Sequence, residues 1–83
     1  MAVKEDYTLD ASGLICPEPI MMLHGAIRDA QENEIVLLIA TDPAAERDVN
    51  QFCEFLSHEL VSAENNKVGD TTTWRFWIRK LKR

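Results

Sequence analysis

The stretch EIVLLIAT, residues 34–41, decides the fold of this chain. It is a short, continuously apolar run with several β-branched residues, which is typical of a strand that is covered on at least one face and lies centrally in its sheet. The chain has 83 residues, and a chain of that length buries only about 60% of the surface it exposes when unfolded, too little for a second core. We therefore expect residues 1–83 to form a single domain, with an ordered core at about residues 7–80.

A strand and a helix precede this run, and a second helix follows it. YTLDA, residues 7–11, alternates modestly and ends at a Ser-Gly turn, which predicts a first strand. Apolar residues then recur at helical spacing from Pro17 to about Gln31. After the central strand, Asp42 is positioned to cap a helix and Pro43 to occupy its first turn. The apolar positions of this second helix follow the i, i+3, i+4, i+7 rule: Val49, Phe52, Cys53, Leu56 and Leu60.

The last third of the chain predicts two strands, VSAE (61–64) and TTTWRFWIRK (71–80), joined by a turn at NNKVGD (65–70). The resulting order, β-α-β-α-β-β, predicts an α/β protein of the α+β type, a two-layer sandwich with two helices on one face of a four-stranded sheet. Helical crossovers make the early strands parallel and the final turn makes the last pair antiparallel, so the sheet should be mixed. Alternation in the last strand predicts two faces, one with Trp74, Phe76 and Ile78 and the other with Arg75, Trp77 and Arg79.

Charge is distributed unevenly along the chain. The net charge is −5, yet residues 75–83 contain five bases and no acid. The acidic excess argues against a protein that binds nucleic acid non-specifically over its surface. The first interpretation of the basic end is a solvated edge strand. A weaker hypothesis gives this end and an exposed Trp77 a direct role in RNA binding. The acidic start and the lack of a long apolar run predict a cytoplasmic protein without a membrane span.

The two cysteines predict two different roles. Cys53 lies on the apolar stripe of the second helix, which predicts an inert, buried thiol, and we expect no disulfide with Cys16. His24 and His58 are 34 residues apart and the chain has no Cys-x-x-Cys pair, so we expect no metal and no other cofactor.

Cys16 precedes two prolines in the sequence CPEP, and two helix registers are open there. If Pro17 is the first helical residue, Cys16 is the N-cap and its thiolate is stabilised by the helix N-terminus; alternatively, the helix begins at Pro19 and Cys16 lies on an extended lead-in. In either register the prolines present the thiol rigidly. Because Glu18 and the acidic body oppose a thiolate, we expect at most a modest lowering of the Cys16 pKa. This suits a carrier activated by docking, with His24 too far along the helix to act as its base.

Three blocks of the sequence resemble one protein family. LDASGLICPEPIMM (9–22) resembles the TusA/SirA family of small sulfur-carrier proteins, which have a Cys-Pro-x-Pro motif at their first helix. DPAAERDVNQFCEFLSHELVSAE (42–64) is similar to the TusA branch of that family, and RFWIRK (75–80) is similar in kind. The resemblance covers nearly the whole chain and implies the same two-layer sandwich.

The resemblance implies a sulfurtransferase in which Cys16 accepts sulfane sulfur from a cysteine desulfurase as a persulfide and passes it to a downstream sulfur-relay protein. Members of the family supply 2-thiouridine formation at the tRNA wobble position, and some are linked to molybdenum-cofactor maturation. The motif residues Pro17, Glu18 and Pro19 would support the cysteine loop. The implied partner contacts are Glu18, Met21, Met22 and Arg28, although His24 stands where a basic residue would be expected.

One alternative function gives the thiol no obligatory part. In this hypothesis the protein is a regulatory or docking module in sulfur or molybdenum-cofactor metabolism, and the CPEP motif serves binding alone. Neither hypothesis involves a membrane, and direct nucleic-acid binding is not expected of either.

Overall fold

A four-stranded mixed sheet organises the chain, which a computed structural model describes from residue 3 to residue 81. The strands lie in the order β1-β2-β4-β3, with β1 and β2 parallel and the other two neighbouring pairs antiparallel. The predicted β-α-β-α-β-β order and mixed sheet are confirmed. The elements are β1 (Tyr7–Ala11), α1 (Glu18–Asp29), β2 (Ile35–Ala40), α2 (Ala45–Leu56), β3 (Glu59–Val68) and β4 (Thr71–Arg79).

Strand β2 is central, as its continuous apolar run predicts. It pairs with β1 from Tyr7↔Val36 to Ala11↔Ala40, and with β4 on its other side. Val36 and Leu38 are fully buried on the face that the helices cover. Leu37 points to the opposite face and is also buried, which explains why the run shows no alternation of apolar and polar residues.

Both helices pack on one face of this sheet and enclose the core, as predicted. The amphipathic stripes of the helices supply half of its buried residues, and no polar or charged side chain in residues 3–81 is buried with them. Phe76 and Ile78 of β4 are fully buried there, and Trp74 packs against the core, so the predicted face of this strand is confirmed. Leu23 and Ile27 come from α1, and Val49, Phe52 and Cys53 come from α2.

The helix starts differ from the predictions. Helix α1 begins at Glu18 with Pro17 as its N-cap, so neither predicted register is correct and Cys16 lies one residue before the cap. Helix α2 begins at Ala45 with Ala44 as its N-cap, two residues later than Asp42-Pro43 predicts. The Asp42 carbonyl accepts a hydrogen bond from the Ala45 amide at 2.9 Å, and its Oδ1 accepts one from the Ala44 amide at 3.1 Å. Asp42 therefore forms the turn that leads into α2 instead of capping it.

Strand β3 is longer than predicted. It continues through Asn65–Val68, most of the predicted turn, and pairs with β4 up to Val68↔Thr71. The turn itself is Gly69-Asp70, where Gly69 has a φ of +62°, a conformation that glycine adopts without a steric penalty. Polar residues at 65–67 are accepted because this part of the hairpin is exposed on both faces.

The basic end is not an edge strand, which corrects the first interpretation of it. Strand β4 lies between β2 and β3, and two bases at the end of this strand or directly after it have partners. Arg79 pairs with Glu59 at 3.2 Å, and Lys80 Nζ donates to the carbonyls of Arg28 and Ala30 at the end of α1. Lys82 and Arg83 lie outside the described residues.

Trp77 is half-buried rather than exposed, and its Nε1 donates to Glu5 at 3.1 Å. The RNA hypothesis assumed an exposed ring for stacking, so partial burial of Trp77 weakens it. None of the helices within residues 3–81 is long and apolar enough to cross a bilayer.

Candidate functional site

Cys16 lies exposed in the turn between β1 and α1. The Cys16–Pro17 peptide bond is cis, and the Glu18 amide donates to the Ile15 carbonyl at 2.9 Å. Pro17 is exposed beside the thiol, whereas Pro19 is buried in the first turn of α1. One proline therefore shapes the turn and the other anchors the helix beneath it, consistent with rigid presentation of the thiol.

Asp42 holds this turn against the start of the second helix. Its Oδ2 accepts a hydrogen bond from the Cys16 amide at 2.7 Å, while Oδ1 accepts from Ala44. Beside it, Thr41 Oγ1 accepts from the Gly13 amide at 2.9 Å. The sequence analysis missed this bridge, although a signal was present, because parallel neighbouring strands place the loops at their carboxyl ends side by side.

The thiol opens onto a groove between α1 and α2 with a volume of about 800 Å³. Its lining is chiefly apolar, with Ile20 from α1 and Phe52, Phe55 and Leu56 from α2. Phe55 is 87% exposed, so it extends the apolar lining of the groove to the surface of the protein. The i, i+3, i+4 pattern of α2 finds Phe52 but misses Phe55, since that residue lies off the core stripe.

Acidic groups surround the Cys16 sulfur and raise the pKa of its thiol. The largest cause is a hydrogen bond with the Asp48 carboxylate, followed by partial desolvation and by the charges of Asp48 and Asp42, with Arg47 opposing them. The pKa of the Cys16 thiol is therefore raised, whereas the sequence alone predicts at most a modest lowering. The acidic body does oppose the thiolate, as expected, but through Asp48 in the first turn of α2 and Asp42 in the turn before it, and not through Glu18.

The predicted partner residues lie along α1 and differ in exposure. Glu18, Met21 and Arg28 are exposed, with Met21 at 63%, and Arg28 Nε lies 3.4 Å from Asp29. Met22 is half-buried and packs against the core. Met22 therefore has a packing role whatever else it contacts.

His24 contributes an aromatic wall to the groove. Its ring packs edge-on against Phe52, with centroids 4.7 Å apart. The groups that shift the pKa of the Cys16 thiol are Asp48, Asp42 and Arg47, and His24 is not one of them. Within residues 3–81, no three His, Cys, Asp or Glu side chains form a group that could hold a metal ion.

Cys53 is a free, buried thiol in α2, as predicted, and burial raises its pKa from 9.0 to about 11. The folded state thus favours the protonated thiol, whereas the unfolded chain ionises near the ordinary value. The stabilisation is fully present below pH 9 and is lost as the pH rises from 9 towards 11. We predict a loss on the order of 2 kcal/mol in the free energy of unfolding across this window.

Urea denaturation at pH 8 to 11 measures this loss. In Cys53→Ala, the curve of stability against pH should flatten by the same amount. Tyr7, whose pKa is raised chiefly by a hydrogen bond with Glu34, and Cys16, whose pKa is also raised, leave a residual slope. An unchanged slope in the variant would show that Cys53 is not the titrating group.

Comparison with known proteins places these features in a family. Residues 7–80 match the family model described as Sulfurtransferase TusA. The sulfur carrier protein TusA of Pseudomonas fluorescens is 52% identical over 75 residues, covering 90% of this chain and 86% of the relative. That of Pseudomonas aeruginosa is 48% identical over 80 residues, covering 96% of each chain.

One solved structure is also similar in fold. The crystal structure of a SirA-like protein from Desulfitobacterium hafniense matches with a TM-score of 0.66, covering 87% of this chain and 95% of the other. At 15% sequence identity, this likeness supports the two-layer fold alone.

Proposed function

Since the chain belongs to the TusA sulfurtransferase family, we propose that it is a sulfur carrier that holds sulfane sulfur as a persulfide on Cys16. A carrier needs a donor and an acceptor of sulfur. The proposed donor is a cysteine desulfurase and the proposed acceptor a downstream sulfur-relay protein, with the cytoplasm as the place of action. The family resemblance implies that this sulfur serves 2-thiouridine formation at the tRNA wobble position, with molybdenum-cofactor maturation as the other recipient.

The exposed position of Cys16 at the mouth of an apolar groove supports this proposal most directly. A carrier thiol must be reached in turn by a donor sulfur and by an acceptor thiol, and both approach from solvent. The hydrogen bond from the Cys16 amide to Asp42 keeps the turn in place for each approach. Cys53, which is 6% exposed, offers no such access.

The transfer step is an exchange of sulfur between thiolates. The Cys16 thiolate attacks the outer sulfur of the donor persulfide, a new Sγ–S bond forms, and the donor S–S bond breaks with its electron pair leaving on the donor cysteine. The departing thiolate takes up the proton that Cys16 released. Delivery repeats this step, with an acceptor thiolate attacking the outer sulfur on Cys16.

The raised pKa of the Cys16 thiol supports a carrier activated by its partners over an autonomous catalyst. Asp48 and Asp42 oppose ionisation in the free protein, so a docked partner has to supply the positive charge or the base that forms the thiolate. The exposed residues Glu18, Met21 and Arg28 of α1 are the proposed contacts for the donor, and the half-buried Met22 can add only its exposed edge.

The proposal is tested by incubating the protein with a cysteine desulfurase and cysteine that carries labelled sulfur, then measuring intact mass and mapping the adduct under non-reducing conditions. We expect one added sulfur on the peptide that contains Cys16. The absence of an adduct, or its location on Cys53, would contradict the persulfide relay and favour a docking module.

A further inference from the structure

Helix α2 has a second stripe of side chains beside its core stripe, and this stripe faces the groove onto which Cys16 opens. Asp48, Gln51 and Phe55 recur at i, i+3 and i+7, a spacing that places residues on one face of a helix, and all three line the groove. Phe55 is 87% exposed, whereas Phe52 on the core stripe is 6% exposed. The wall that α2 contributes to the groove therefore includes an aromatic surface that the described part of the chain leaves open.

The carboxylates at this groove give it a negative charge. Asp48 and Glu54 line it, together with His24, and no lysine or arginine among the described residues does. Arg47 Nε lies 3.4 Å from Asp48 Oδ1 and offsets part of that charge. Glu54 is exposed and has no ion-pair partner within residues 3–81. An apolar wall beside an unpaired carboxylate is complementary to an apolar side chain that lies next to a basic one.

The groove is separate from the surface of α1 that is proposed for the sulfur donor. Ile20 and His24 of α1 line the groove, whereas Glu18, Met21 and Arg28 do not. The helical repeat explains this separation, because the three proposed donor contacts lie on a neighbouring stripe of α1. Both surfaces border the carrier thiol, so two partners with different surface chemistry can each reach it.

We propose that the groove is the docking site of the sulfur acceptor, and that it fits a protein segment in which a large apolar side chain lies next to a lysine or arginine. The apolar side chain packs against Phe55 and Leu56, and the basic group pairs with Glu54. This inference rests on the proposed persulfide relay, because it assigns one of the two partners of that relay to a surface of its own.

Docking in the groove brings an acceptor thiol to the loaded carrier. The acceptor thiolate attacks the outer sulfur of the Cys16 persulfide, a new S–S bond forms on the acceptor, and the bond to Cys16 Sγ breaks with its electron pair leaving on Cys16. Cys16 takes up the proton that the acceptor thiol released, and no oxidant or reductant is consumed. Because Cys16 lines the groove, a segment bound along it places its cysteine beside the sulfur that it takes.

Peptide binding to the unloaded protein tests the groove without any sulfur chemistry. The probe is the peptide acetyl-Lys-Phe-Lys-Gly-amide, compared with acetyl-Glu-Phe-Glu-Gly-amide, and the backbone amide NMR shifts of the isotope-labelled protein report the site and the affinity. The basic peptide should bind more tightly and shift the amides of Gln51, Glu54 and Phe55 most. Phe55→Ala should weaken its binding about tenfold and Glu54→Gln about threefold, because the first removes the apolar contact and the second the charge.

Two matched controls separate the groove from the acidic surface as a whole. Glu46→Gln removes the same charge from an exposed position of α2 outside the groove, and Val68→Ala removes an exposed apolar side chain from the β3–β4 hairpin. Both variants should bind the basic peptide as the wild type does. Equal weakening in Glu54→Gln and Glu46→Gln would overturn the proposal. Shifts of the same amides on raising the protein concentration without peptide would also overturn it, because the occupant would then be a second copy of the chain.

The two halves of the relay distinguish an acceptor surface from a donor surface. Loading of Cys16 by a cysteine desulfurase and discharge to the peptide acetyl-Lys-Phe-Lys-Gly-Cys-amide are timed separately. The ratio of the discharge rate to the loading rate should fall about tenfold in Phe55→Ala and keep its wild-type value in Val68→Ala. An unchanged or raised ratio in Phe55→Ala would overturn the assignment to the acceptor. Peptide binding is measured without sulfur, so failure of the relay and failure of the groove as a docking site are distinguishable.

Discussion

Replacing Cys16 by serine is expected to abolish sulfur transfer to any acceptor while leaving the fold intact. The serine hydroxyl cannot form the S–S bond that carries the sulfur, and no other exposed thiol exists in residues 3–81 to replace it. Because the Cys16 side chain is exposed, the free energy of unfolding should change by less than about 0.5 kcal/mol. A single-turnover assay with labelled sulfur, a desulfurase and an acceptor thiol measures the first effect, and urea denaturation measures the second.

Cys53→Ala serves as the matched control for this loss. It removes the other thiol from the chain but lies in the core, so it should lower stability while sulfur transfer continues in the folded fraction. Transfer that survives Cys16→Ser, or that disappears equally in Cys53→Ala, would contradict the assignment of the carrier thiol.

Replacing Phe76 by alanine should have the largest effect on stability. Phe76 is fully buried at the centre of β4, with Leu38 of β2 on one side and Ala63 of β3 on the other. Removal of a buried phenylalanine ring costs about 3–5 kcal/mol, through lost burial and the cavity that remains. Small domains have total stabilities of about 5–15 kcal/mol, so the variant should be partly unfolded at moderate temperature.

Phe55→Ala is the control for this prediction, since it removes the same ring from an 87% exposed position. It should change the free energy of unfolding by less than about 1 kcal/mol. Circular dichroism during urea denaturation compares the two variants. Equal losses would mean that the ring of Phe76 contributes no more to the core than an exposed ring does.

Periodicity predicted the elements with strong one-sided patterns and failed at their ends. EIVLLIAT was identified as a central strand, and the apolar face of β4 was assigned correctly, because burial dictates those residue types directly. The start of α1 was not predicted correctly, since the two prolines leave more than one helix register open in the sequence. The length of β3 was underestimated because its exposed residues 65–67 pair through backbone groups, which polar side chains do not reveal.

The candidate site was predictable only in part. Cys16 stands out in the sequence because two prolines follow it directly before a predicted helix. Asp42 and Asp48 do not stand out in the sequence, because acidic residues near the start of a helix are common and are explained by capping and the helix dipole. Their contact with Cys16 joins residues 26 and 32 positions apart, a separation that no local pattern describes.

By itself, the sequence determined the order of the elements, the core faces and the identity of the thiol, because these follow from burial and from residue chemistry at short range. Only the tertiary structure decided how that thiol behaves. Parallel pairing of β1 and β2 brings the start of α2 against the turn before α1, so Asp42 accepts a hydrogen bond from the Cys16 amide and Asp48 lines the same groove as its thiol. The electrostatic field at a side chain depends on neighbours in space, and here it raises the pKa of Cys16 where the motif alone suggested a slight lowering.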